Sequence, residues 1–164
     1  MSPTLDMAER TWRIVSEKNA VEDAMRFADL ATSYLDAACR EAVVLAVAEL
    51  TENAVKYGSV HHSAGSATLG IASRDGAIRV RLKNPVHSRD DARSVVDTVS
   101  RIASSPNVNE LYRQRLAELF ANPSLPRAQL GLLRIAFEGR FRLSCDYHDP
   151  FVELVAERSC DKSK

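Results

Sequence analysis

Between Ala67 and Leu82, apolar and polar residues alternate in two runs joined by Asp75-Gly76. Ala67, Leu69 and Ile71 form one apolar row, and Ile78, Val80 and Leu82 form the other, interleaved with Arg79, Arg81 and Lys83. Alternation of this kind on both sides of an Asp-Gly pair predicts a β-hairpin with one buried and one solvated face. A second layer has to cover the buried face. Residues 140–147 and 151–157 repeat the signal around Asp149-Pro150, with Phe141, Leu143, Cys145 and Tyr147 alternating against polar neighbours. Helical patterns fill most of the remaining chain, and few connections suit a parallel sheet. The expected fold is α+β, a two-layer sandwich of helices on a mixed, mostly antiparallel sheet.

Other elements follow from local signals. Trp12, Ile14 and Val15 predict a short strand over 11–17, and Asn19 is placed to cap a helix over 20–35. A longer helix is expected over 38–57, with Val43, Val47, Leu50, Ala54 and Tyr57 as its buried seam and Gly58 as its stop. Residues 59–66 read as a loop, and Asn84-Pro85 ends the hairpin because proline has no N–H to donate. Ser88 is positioned to cap a helix whose apolar stripe is Val95, Val96, Val99 and Ile102. After the break at Ser104-Ser105-Pro106, Asn107 and Glu110 approach a capping box before another helical run. Pro123 and Pro126 bracket a connection to a last helix over 128–138, which ends at Gly139. With no internal repeat, residues 1–164 are expected to form a single domain.

Composition narrows the function classes. A chain of 164 residues that is 45% hydrophobic can bury one sizeable core. Its 22 basic and 22 acidic residues balance, so no overall field favours nucleic acid or an anionic membrane. Cys39, Cys145 and Cys160 are odd in number and lack CxxC spacing. They predict free thiols in a reducing compartment, without a disulfide framework or zinc site. With no signal-peptide pattern and no membrane-length apolar run, a cytoplasmic location is expected.

Glu49 and Asn53 carry the strongest chemical signal. Four residues apart on a helix, they share one face. An Asn oxygen suits magnesium, which keeps several waters while bridging phosphates. A neighbouring carboxylate can take the proton of an attacking hydroxyl. The alternative is an ordinary solvated face, as Glu52 and Lys56, also four apart, suggest for themselves.

The string AVAELTENAVKYG resembles the N-box of the GHKL ATPase superfamily, and looks most like that of the stand-alone anti-sigma-factor serine kinases. The resemblance implies ATP and Mg2+ as cofactors, Glu49 as catalytic base, Asn53 as magnesium ligand and Lys56 near phosphate. It also implies a bacterial serine/threonine kinase acting on a regulatory partner protein in partner switching, with a homodimer common among the relatives. The alternative is an inactive module that sequesters its partner.

Two boxes depart from the family pattern. The superfamily's Asp-x-Gly-x-Gly is replaced by Lys83-Asn84-Pro85-Val86, where Asn84 either accepts from an adenine amino group or ends a strand. Of Gly-x-Gly-Leu only Gly131-Leu132 remains, so Gly131 either opens a phosphate-binding helix start, supplemented by Arg127 and Arg134, or marks close packing. A helical insert over about 86–127 stands in place of the ATP lid. His61, His62, His87 and His148 match no zinc spacing, Cys145 reads as a buried inert thiol, and Arg79, Arg81 and Lys83 read as a solvated strip.

Overall fold

The computed structural model describes residues 6–57 and 62–160. In chain order the elements are β1 (Met7–Ile14), α1 (Ala20–Ala31), α2 (Ala37–Tyr57), β2 (Ala67–Arg74), β3 (Ala77–Pro85), α3 (Arg89–Ser104), α4 (Val108–Ala121), α5 (Ala128–Phe137), β4 (Arg142–His148) and β5 (Phe151–Ser159). The five strands make one sheet in the order β1-β2-β3-β5-β4. Every neighbouring pair is antiparallel, in keeping with the mostly antiparallel sheet expected. Two hairpins account for two pairings. The remaining two, β1 with β2 and β3 with β5, join strands running in opposite directions.

The alternation read from sequence sets the register. Leu69 faces Leu82 and Ile71 faces Val80 across β2 and β3, while Leu82 faces Leu154 and Val80 faces Ala156 across β3 and β5. These side chains are buried, together with Val43, Val47, Leu50 and Ala54 of α2. Burying each larger side chain contributes about 1.5–3 kcal/mol, which is why the α2 seam holds to the sheet. Helix α1 presents Ala20, Ala24, Ala28 and Ala31 inward. Its small side chains allow close approach to α2. On the opposite sheet face, Arg79 pairs with Glu157 at 2.8 Å, and Arg81 pairs with Glu9 and Glu153. Lys83 lies over the Phe151 ring. Both arginines of the basic strip are thus paired with carboxylates.

Several local expectations change. β1 lies over Met7–Ile14 instead of 11–17, leaving Val15 outside it and exposed. As an edge strand with both faces largely open, it has little apolar alternation to betray it. Asn19 adopts a left-handed conformation (φ 59°) and makes no side-chain cap. Asn tolerates that conformation, whereas an N-cap side chain reaches its N–H groups from the extended region. Helix α1 stops at Ala31, where the Thr32 hydroxyl donates to the Ala28 carbonyl at 2.7 Å. Asp36 then accepts from the Cys39 N–H at the start of α2. Ser88 and Asn107 do cap α3 and α4, accepting from the Asp91 and Glu110 N–H groups at 3.1 Å. Expectations for the Tyr57 side chain, Gly58 and His61 fall outside the described portion.

The cysteine reading is corrected as well. Cys39 and Cys160 form a disulfide, with Cα atoms 5.8 Å apart and 121 residues between them in sequence. Antiparallel pairing of β5 on β3 carries Cys160 to the hairpin turn, where its N–H donates to the Gly76 carbonyl. That places it beside the start of α2. Such a meeting is fixed by topology, and spacing could not disclose it. Cys145 is the free thiol among the described residues, and burial pushes it up to about 12. It is protonated and unreactive at neutral pH.

Candidate functional site

Helix α2 turns Glu49 and Asn53 toward α5, and Gly131 is where α5 meets them. A Cβ at Gly131 would lie 2.5 Å from Glu49 Oε2 and 3.7 Å from Asn53 Nδ2. The absence of a side chain at Gly131 is therefore what lets the Glu49 carboxylate rest against α5. The close packing expected at this glycine is present, and it shapes the cavity beside the helix start.

That cavity, about 160 Å³, is lined by Glu49, Glu52, Asn53, Lys56, Arg127, Leu130, Gly131 and Arg134. Three cations, two carboxylates and an uncapped helix start line it; Lys56 pairs with Glu52 and Arg134 with Glu49, while Arg127 stands at the α5 N-cap without a side-chain hydrogen bond and leaves the balance positive. This is a setting that favours anions. Lys56 Nζ sits 2.5 Å from Glu52 Oε1, as their spacing implied, and still borders the cavity.

Glu49 is held more elaborately than its sequence position suggested. Arg134 Nη1 donates to Glu49 Oε1 at 2.5 Å, and Arg134 Nη2 reaches Glu138 Oε2 at 3.4 Å. The Tyr112 hydroxyl of α4 donates to Glu138 Oε1 at 3.0 Å. Burial pushes the Glu49 carboxyl above its ordinary value, against the lowering effect of Arg134 and with further help from Glu52 and Glu138. Burial opposes the charge of Arg134, but Glu138 and Glu49 outweigh it and hold the guanidinium above the usual arginine value. Burial and the Glu138 hydrogen bond also raise Tyr112.

A second cavity of about 350 Å³ adjoins the first and is mainly apolar. Leu50, Ala54, Leu82, Val86, Leu132, Val152 and Leu154 form its walls; Asp91, Ser94 and Thr98 of α3 add polar groups. Its size falls within the range of small-molecule sites. Asn53 lines both cavities. Asn84 is paired with Val152 one residue before β3 ends at Pro85, so Asn84-Pro85 does close the strand, and Asn84 is still held within the ladder. It is only 8% exposed, lines this chamber, and its Oδ1 has no hydrogen-bond partner among the described residues.

Residues 14–136 match the family model of the histidine kinase-like ATPase domain. The chain belongs to that family. The match runs from the end of β1 through α2, the central hairpin and the two-helix segment into α5. No curated protein matches the chain in sequence. Its fold is shared by a chain from the crystal structure of the SiaB–SiaC complex from Pseudomonas aeruginosa, at 19% identity and a TM-score of 0.67. The alignment covers 94% of this chain and 90% of that one. Within this histidine kinase-like ATPase domain, Glu49, Asn53, Lys56 and Gly131 gather at one cavity, and Asn84 stands in the other.

Sequence reasoning missed Tyr112, Glu138, Asp91, Ser94 and Thr98 as parts of this region. The last three had a signal, since positions 91, 94, 95 and 98 share one helical face; Val95 drew attention and its polar neighbours did not. Tyr112 and Glu138 had none, because their meeting depends on how α4 packs on α5.

Proposed function

We propose that this chain binds ATP with magnesium across the two cavities and transfers a phosphoryl group to a serine or threonine of a partner protein. The observation that carries this reading is the pair of cavities, one apolar and one lined by three cations and two carboxylates, sharing Asn53. The residues fit such a ligand. Asn84 Oδ1 is a buried acceptor in need of a donor such as an amino group on a base. Lys56, Arg127 and Arg134 can hold phosphate oxygens, supplemented by the start of α5.

Among the described residues no cluster of three or more His, Cys, Asp or Glu forms a ready-made metal site. Magnesium does not require one, because one or two side chains suffice beside phosphates and waters. Asn53 Oδ1 is the side-chain oxygen we assign to it. When bound, ATP supplies the transferable phosphoryl group and magnesium offsets its charge. Glu49 accepts the proton of the attacking hydroxyl at its carboxylate. Arg134 favours the ionised form of that carboxylate, opposing burial, while Gly131 leaves the room it occupies.

A regulatory role in partner switching is part of the same proposal. It is supported by the family and by the shared fold with a chain from a two-protein complex. A second reading, a protein-binding module without transfer, is favoured by the Arg134–Glu49 ion pair, which occupies the carboxylate required as a base. Calorimetric titration of ATP with and without magnesium tests the first claim. Absence of binding at millimolar nucleotide refutes it. Glu49→Gln separates the readings: a variant that binds ATP but does not transfer supports the kinase, whereas full biological output from it supports the module.

A further inference from the structure

We propose that the apolar chamber accepts guanine as well as adenine, because the group that meets the purine six-position is a carboxamide. The proposal rests on the nucleotide-site reading above. Asn84 stands in β3 with Leu82, Val86, Val152 and Leu154 also lining the chamber. It is more than nine-tenths buried, and its Oδ1 lacks a hydrogen-bond partner among the described residues. Leaving such an atom unpaired costs about 1–3 kcal/mol, so a ligand that pairs with it gains affinity there.

A carboxamide has an acceptor end and a donor end of nearly the same shape, exchanged by a half-turn of the side chain. Adenine carries an amino donor at its six-position, and guanine carries a carbonyl acceptor. Asn84 can satisfy either one. A carboxylate at the same place could only accept, and would face the guanine carbonyl with two acceptors.

The remaining polar lining agrees with this choice. Asp91 offers a carboxylate at the chamber, the chemistry that suits the ring N–H and two-amino donors of guanine. The Ser94 hydroxyl donates or accepts as required. The Thr98 hydroxyl donates to the Ser94 carbonyl at 2.9 Å, so its lone pairs remain for donors on a base. Thus Asn84, the group assigned to the six-position, excludes neither purine.

The test is a calorimetric titration of the full chain with ATP, GTP and CTP at one magnesium and salt concentration. ATP and GTP are expected to bind within about threefold of one another, and CTP at least about tenfold more weakly. Asn84→Asp should keep ATP and weaken GTP by about tenfold or more. Asn84→Ala, which removes both ends without burying a charge, should weaken both purines alike; thermal unfolding confirms that each variant folds. Wild-type binding of ATP with GTP more than about tenfold weaker overturns the inference while leaving the ATP site standing. Failure of both purines overturns the nucleotide reading and this inference together.

Discussion

A methyl group at Gly131 would lie 2.5 Å from Glu49 Oε2, in a helix whose neighbouring side chains are largely buried. Non-bonded heavy atoms prefer separations of about 3.5 Å or more, so in Gly131→Ala the carboxylate must move by about 1 Å. Moving it disturbs the 2.5 Å contact with Arg134, whose side chain is 37% exposed while that of Glu49 is 13% exposed. Exposed ion pairs contribute about 0–1 kcal/mol and loss of one partner from a buried pair costs about 3–5. This mixed case, discounted for solvent screening at Arg134, is worth about 1–2 kcal/mol. Alanine returns about 0.5–1 kcal/mol through its better helix propensity. The net loss is about 0–1.5 kcal/mol, a fall in Tm of no more than about 6 °C. A displacement of this size at a catalytic base costs about a hundredfold in rate. The expected variant is therefore nearly as stable as the parent, with magnesium-dependent ATP turnover reduced by about that factor. Scanning calorimetry and initial rates measure the two quantities. A variant that is more stable and turns over ATP at the parent rate would refute the placement of Glu49 against α5.

Other consequences are open to direct measurement. Asn53→Ala should weaken ATP binding by about tenfold in the presence of magnesium and leave binding in EDTA unchanged, as titrations in both conditions would reveal. Because burial raises Glu49, transfer should fail as pH drops through a value above 4.5, the ordinary value for this carboxyl. Arg134→Gln removes the cation opposing that rise and should move this acidic limb higher still; a limb below 4.5 in the parent would count against Glu49 as base. Breaking the Cys39–Cys160 bond by Cys160→Ser should cost about 2–4 kcal/mol in denaturant unfolding, with the variant indifferent to reductant. Equal stability of parent and variant would contradict a bond closing so long a loop.

Features fixed by near neighbours in sequence were legible before the fold was known. The seam Val43, Val47, Leu50 and Ala54, the hairpin around Asp75-Gly76 and the caps Ser88 and Asn107 all depend on spacings of a few residues. The pairing of Glu49 with Asn53 was legible for the same reason. Asn84 was ambiguous because a following proline usually ends a strand. Pairing with β2 stops at Thr68 and Lys83, so beyond that point β3 is bordered only by β5, and Pro85 is tolerated there. The disulfide, the strand order and the hold of Arg134 on Glu49 were hidden, since each joins segments that only the completed topology brings together.

Tyr112, Glu138, Arg134 and Glu49 form one hydrogen-bonded file running from α4, across α5, to α2. Thermodynamic linkage makes such a file reciprocal. Whatever a ligand that reseats α4 does to the proton affinity of Glu49, protonating Glu49 must do to the ligand's hold on α4 by the same free energy. The ionisation of one carboxylate is then a gauge of helix position, which NMR titration of Glu49 can read without any turnover of substrate.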